Sequence, residues 1–178
     1  MGSFLYYCKQ NFFVLFSVVL LQLQNDCMKK LKDKIEALEA QIPNASATNT
    51  TVTTSTVGWQ IEHALLTINQ IIKTVEASNP SDYKWSFNLM RTVVFIRHRI
   101  PRGKAKAPKV VQPKDHVTEA TIKAALEKTY QLLEVLPTLS ANNFFPHPFF
   151  GKLNKRQTIK FLIIHTQHHL NIINEMIQ

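Results

Sequence analysis

Glycine is scarce in this chain of 178 residues: there are four, Gly2, Gly58, Gly103 and Gly151, and no two are neighbours. A phosphate-cradling loop or a dinucleotide-binding turn needs clustered glycines, where backbone closely approaches the ligand, so counting alone excludes both. Cysteine is scarcer still. Cys8 and Cys27 both precede the part of the chain with a folding pattern, which argues against a disulfide framework or a thiolate metal site and suits a reducing cytoplasm. A membrane span is missing too: the apolar run from Phe12 to Leu23 is about a dozen residues, where roughly 20 are needed. As a signal peptide it carries Lys9 as its one basic residue, and Gln24, Asn25 and Asp26 stand where a small-residue cleavage site belongs. Residues 1–27 therefore read as an apolar extension outside the fold, and 28–178 as the domain. The expected location is cytoplasmic, with membrane association or export through the apolar N-terminus as the alternative.

Negative charge is absent from one long stretch. Between Arg91 and Lys114 there are eight basic residues and no acidic one, so of the net charge of +9 only about +1 belongs to the rest of the chain. This local basic run has almost no interleaved aromatics, only Phe95 nearby, and a base-stacking platform for nucleic acid is disfavoured. A solvated loop, or recruitment of an anionic small substrate, fits it better.

What the chain does have is helical periodicity. Leu31, Ile35, Leu38 and Ile42 recur at helical spacing over Lys29–Ile42, and Pro43 stops the pattern. Ile61, Leu65, Ile68, Ile72 and Val75 make the stripe of a second helix over Trp59–Ser78. A third runs from Thr118, an N-cap with Glu119 in the first turn, to Leu136. The last starts at Asn154, an N-cap with Gln157 three residues on. The polar stretch Asn44–Thr56 and the segment NNFFPHPFFGKL read as loops, and Phe144, Phe145, Phe149 and Phe150 as a plug for one end of the core or as walls of an apolar pocket. The basic run has three prolines and reads as non-helical. The expected fold is all-α, a four-helix bundle with a basic, proline-containing connector between the second and third long helices.

The last helix raises a chemical question, because HTQHH places His165, His168 and His169 within five residues. At about 100° per residue, His165 and His169 both fall inside the apolar stripe formed by Phe161, Leu162, Ile172, Ile173, Met176 and Ile177. His168 falls on its edge. Two buried imidazoles at i, i+4 can share one cation, and as imidazolium ions they would repel. A zinc-like ion takes at least three protein ligands, so a third would come from His63, His98, His116 or His147. The arginines around His98 disfavour a cation, and His116 sits in a connector. His63, one turn from Trp59 and Leu66 on the second helix, and His147, on the loop leading into the last helix, remain rivals on geometry.

Trp59, His63 and Leu65 on an early helix, with H-x-x-x-H on the last, resemble the DinB/YfiT-like superfamily of metal-binding four-helix proteins. HPFFGKL (His147 to Leu153) followed by HTQHHL (His165 to Leu170) is similar to one branch of it, a domain family of unknown function. The resemblance runs from about Met28 to the C-terminus. It implies a divalent metal (Zn, Ni, Mn or Fe) on His63, His165 and His169. His168 and His147 are not ligands of the superfamily, and their implied part is to support the ligands, contact substrate or transfer a proton. Characterised relatives include transferases that use small thiols and a thiol-dependent isomerase. The implied function is therefore a metal-dependent transferase acting through a small thiol; the alternatives are a metal-hydroxide hydrolase or a non-catalytic metal-binding bundle. The expected partner is a small molecule, a low-molecular-weight thiol by the resemblance or an anion by the basic run; a homodimer is an option that the sequence does not decide.

Overall fold

The structure is a computed structural model and describes residues 22, 25–103, 108–113 and 116–178. The apolar stretch from Phe12 to Leu23, Gln22 aside, lies outside the described residues, as do 104–107 and 114–115 of the basic connector.

Among the described residues the architecture is predominantly α-helical. Four long helices are α1 (25–39), α2 (Val57–Glu76), α4 (Glu119–Leu133) and α5 (Lys155–Ile177), and a short α3 (Leu89–Arg97) lies between α2 and α4. Each begins or ends where local chemistry dictates. Thr56, Thr118 and Asn154 are extended residues whose side chains accept from the backbone N–H three positions on, capping α2, α4 and α5. Asn154 and Gln157 bond reciprocally in a capping box, which fixes the start of the histidine-bearing helix. After α1 the chain tightens into a 3-10 turn at Ile42–Asn44, built around Pro43.

Helix α2 is the central element, packed on both α4 and α5. Ile61, Leu65, Ile68, Ile72 and Val75, the stripe read from the sequence, are all fully buried, with Leu31, Ile35 and Leu38 of α1 beside them in the same core. A buried polar tie joins α2 to α4: Thr129 Oγ1 donates to Asn69 Oδ1 (2.8 Å), and Asn69 Nδ2 donates to the carbonyl of Ala125 (3.0 Å). Gly58, at the first turn of α2, has no room for a side chain, because a Cβ there would stand 3.0 Å from the Ala45 carbonyl oxygen that accepts from its own N–H.

Two stretches read as loops contain short antiparallel strand pairs. β1 (Thr48–Asn49) pairs with β2 (Thr53–Thr56), and β3 (Phe144–His147) with β4 (Gly151–Asn154). The β3–β4 segment hides its strands because two prolines and four phenylalanines leave no alternation to read. What makes the hairpin is its turn: Gly151 has φ 71, and the His147 Nδ1 accepts from the backbone N–H groups of Phe149 (3.1 Å) and Phe150 (3.2 Å). The four phenylalanines divide accordingly. Phe144 and Phe150 are buried, Phe145 is half-buried, and Phe149 is exposed.

Helix α3 is mostly apolar in sequence yet buries little of itself. Only Arg91 and Val94 are buried, and Arg91 donates to the carbonyls of Phe150 (3.2 Å) and Ser86, tying α3 to the second hairpin. On α5 the stripe also shifts. Ile164 is buried at 2% exposure because α3 packs there, whereas Ile177, counted in the apolar stripe, is 42% exposed at the free end of the helix. No helix among the described residues is long and apolar enough to cross a membrane.

Candidate metal centre

Where α2 meets α5, three imidazoles converge. His63 comes from the second turn of α2, and His165 and His169 come from one face of α5. One ligand nitrogen from each lies within 4.8 Å of the others. Ring centroids are 4.6 Å apart for His165 and His169, 4.8 Å for His63 and His169, and 5.6 Å for His63 and His165. His63 and His169 are buried, and His165 is half-buried.

Hydrogen bonds set the orientation of two of the rings. His63 Nδ1 lies 2.8 Å from the carbonyl oxygen of Val111, an acceptor only, so the nitrogen carries the proton and Nε2 keeps its lone pair. His169 Nδ1 lies 2.6 Å from Gln60 Oε1, and Gln60 Nε2 in turn donates to the Ser55 hydroxyl (2.6 Å). In this orientation the amide presents its oxygen to His169, which then carries its proton on Nδ1 and keeps a lone pair on Nε2. Trp59 stacks on His63 with centroids 5.0 Å apart and planes 17° from parallel, holding the third ring from behind.

The His169 Nε2 faces His165 Nε2 at 3.3 Å. Two imidazole nitrogens each about 2 Å from one tetrahedral ion stand about 3.4 Å apart, so the pair already has the spacing of two ligands of one ion. His165 Nδ1 is buried with no hydrogen-bond partner. If that nitrogen carries the proton, two lone pairs meet at Nε2, an arrangement that a cation relieves. The residues present thus fit a borderline divalent metal by donor type, by convergence and by the spacing of the α5 pair.

Electrostatics keep the cluster neutral. Burial pushes His165 down to about 3, with repulsion from His63, His168 and His147 adding to it. Burial also holds His169 well below the ordinary histidine value, His165 and His63 adding repulsion. His63 is lowered by burial, which the Val111 carbonyl opposes. Metals bind the neutral form, so the ligands need no deprotonation near neutral pH.

The other histidines lie elsewhere. His168 is half-buried beside His169, ring centroids 5.3 Å apart, and its nitrogens are not in the converging group. Burial lowers it, as do Arg102, His63 and Arg99. His147 stacks on Phe150 (4.1 Å) and meets Phe161 edge-on (4.7 Å), and Phe161 in turn contacts His165 (5.7 Å). Its Nδ1 is taken by the hairpin turn, and burial pushes it down to about 4. His98 and His116 are exposed and stand outside the cluster.

Gln60 and the Val111 carbonyl are the participants that the sequence reading lacks. Gln60 had a signal: it is a polar residue one turn before His63, and it is 4% exposed on an apolar helix. Val111 had none, because a backbone carbonyl carries no residue-type signature and lies 48 positions from His63. Replacing Gln60 by leucine removes the acceptor that orients His169, and metal affinity is expected to fall about 10–100-fold with the fold retained. Gln60→Glu, which keeps an acceptor there, is expected to hold affinity at or above the starting value. Competition against a chromophoric chelator measures both.

The class defined by fold and site is a predominantly helical protein with a three-histidine cluster close enough to hold one metal ion. The chain matches the family model described as protein of unknown function (DUF1569) over residues 28–176, and it belongs to that family. No curated protein and no solved structure matches it.

Proposed function

We propose that this chain is a metal-dependent enzyme on a DinB/YfiT-like four-helix bundle formed by α1, α2, α4 and α5, and that its reaction is a transfer using a small thiol. The carrying observation is that Nδ1 of His63 and of His169 is engaged by the Val111 carbonyl and by Gln60 Oε1, which leaves their Nε2 atoms for a site shared with His165. His63, His165 and His169 would hold a divalent ion through three neutral imidazoles, and the ion would supply an uncompensated positive charge that lowers the pKa of a bound water or thiol.

The chain's own residues divide the remaining work. Gln60, Val111 and Trp59 fix ring orientation before any ligand arrives, which reduces reorganisation on binding. Phe161, against His165, supplies an apolar wall that limits water. Among the described residues no carboxylate belongs to the converging group, so none of them offsets the cationic charge that favours an anionic nucleophile. His168, outside the group and half-buried at its edge, is the imidazole placed to take up a proton.

Proton release tests this reading. Adding 2-mercaptoethanol to the zinc-loaded protein in weakly buffered solution at pH 7 is expected to liberate about one proton per site. A protein that takes up the ion but releases no proton with thiols, at pH 7 or at pH 6 where displaced water is still protonated, would contradict a thiol bound at the metal.

A further inference from the structure

Beside the histidine cluster, on the neighbouring face of α5, lies a cleft of about 640 Å³, a size that suits a small organic molecule. Ile164, His168 and Glu175 stand on its α5 side, and Arg97, Arg99 and Arg102 come from the end of α3 and the stretch beyond it. Helix α3 stops at Arg97 because His98 adopts a left-handed conformation, φ 50. That turn delivers Arg97 from before it and Arg99 from after it to one cavity.

The charges around the cleft do not cancel. Arg102 is engaged by Glu175 through both guanidinium nitrogens, at 2.6 and 2.8 Å. Among the described residues Glu175 is the only carboxylate that lines the cleft, and no acidic residue occurs in the sequence between Asp82 and Asp115. Among the described residues neither Arg97 nor Arg99 has an ion pair. Two permanently charged planar forks are left facing the cavity, and such forks match the paired oxygens of a carboxylate or phosphate. Helix α5 carries both sites on adjoining faces: Ile164 and His168, which line the cleft, immediately precede His165 and His169 of the cluster.

We propose that this cleft recognises the anionic end of the substrate, a small molecule bearing a carboxylate or phosphate that Arg97 and Arg99 hold while its other end reaches the three-histidine centre. The last clause rests on the metal-dependent reading given above; anion binding at the arginines stands without it.

The test titrates the full chain, metal-free and zinc-loaded, with inorganic phosphate and with malonate by calorimetry. Both states are expected to bind at least one of the two anions, and the tighter one identifies the head group. Arg97→Gln with Arg99→Gln is expected to weaken binding at least about tenfold in both states, the loss of one or two charge-assisted bonds. Both residues are exposed, so melting temperature and metal content should not change. Glu175→Gln frees Arg102 and is expected to tighten binding severalfold. Binding that ignores the arginine pair, that occurs only with zinc present, or that weakens in Glu175→Gln would overturn the cleft assignment. Arginine-dependent binding in a chain that takes up no metal would uphold the cleft and sink the metal-dependent reading.

Discussion

His169→Ala is expected to take the protein from about one bound metal ion per chain to almost none, because two imidazoles fall below the three protein ligands that a zinc-like site requires. His165→Ala and His63→Ala should do the same, with each affinity lowered by at least about a hundredfold, more than the loss of an outer hydrogen-bonding partner. His168→Gln should keep its metal, since His168 is not in the converging group. Loss of metal must be separated from loss of fold. Removing His169 also strips the buried Gln60 oxygen of its donor, at about 1–3 kcal/mol. Leucine at both positions 60 and 169 removes donor and acceptor together and should be less destabilised than His169→Ala, yet equally empty of metal. Elemental analysis beside thermal melts distinguishes the two effects.

Acid is expected to do on its own what that substitution does. In the folded chain burial holds His63, His165, His169 and His147 below the ordinary histidine value, to about 3 for His165 and about 4 for His147. In the unfolded chain each returns to about 6.5. The unfolded state therefore binds protons first as pH falls. The stability from keeping these rings neutral is fully present above about pH 6.5 and is lost progressively as pH drops toward 4 and then 3. Urea midpoints of the metal-free protein at successive pH values should fall through that window. His147→Asn, which takes one titrating ring away, should flatten the slope. A midpoint that stays level or rises on acidification would contradict the neutral cluster. Protons and metal compete for the same nitrogens, so a loaded sample should release its ion in the same window.

The facing pair on α5 was legible because helical geometry is local: four residues place two side chains on one face whatever surrounds them. The core stripe of α2 was legible for the same reason. His63 was not separable from His147 by that arithmetic, because their rivalry depends on how α2 and the second hairpin pack against α5, which no periodicity encodes. His147 shows the difficulty well. Its Nδ1 closes a turn by accepting two backbone N–H groups, a task usually given to Asp or Asn, so nothing in its residue type announced it. The basic run was visible as charge, but the cleft was not: Arg102 and Glu175 are 73 positions apart and meet only once α5 runs beside the end of α3. Ile177 went the other way. Its spacing marks it as core, yet it is 42% exposed, and among the described residues the elements packed on α5 leave its last turn uncovered there.

Titration of the metal-free protein with Co²⁺, followed by visible absorption, addresses the three-histidine centre most directly. Saturation is expected at about one equivalent with the intense bands of a four- or five-coordinate nitrogen site, and the spectrum should shift when azide or a small thiol enters the open position. Substituting His63, which lies on α2 more than a hundred residues from its partners on α5, should abolish those bands. Cobalt bound equally well by His63→Ala, or no specific uptake by the unaltered chain, would contradict a metal centre built from His63, His165 and His169.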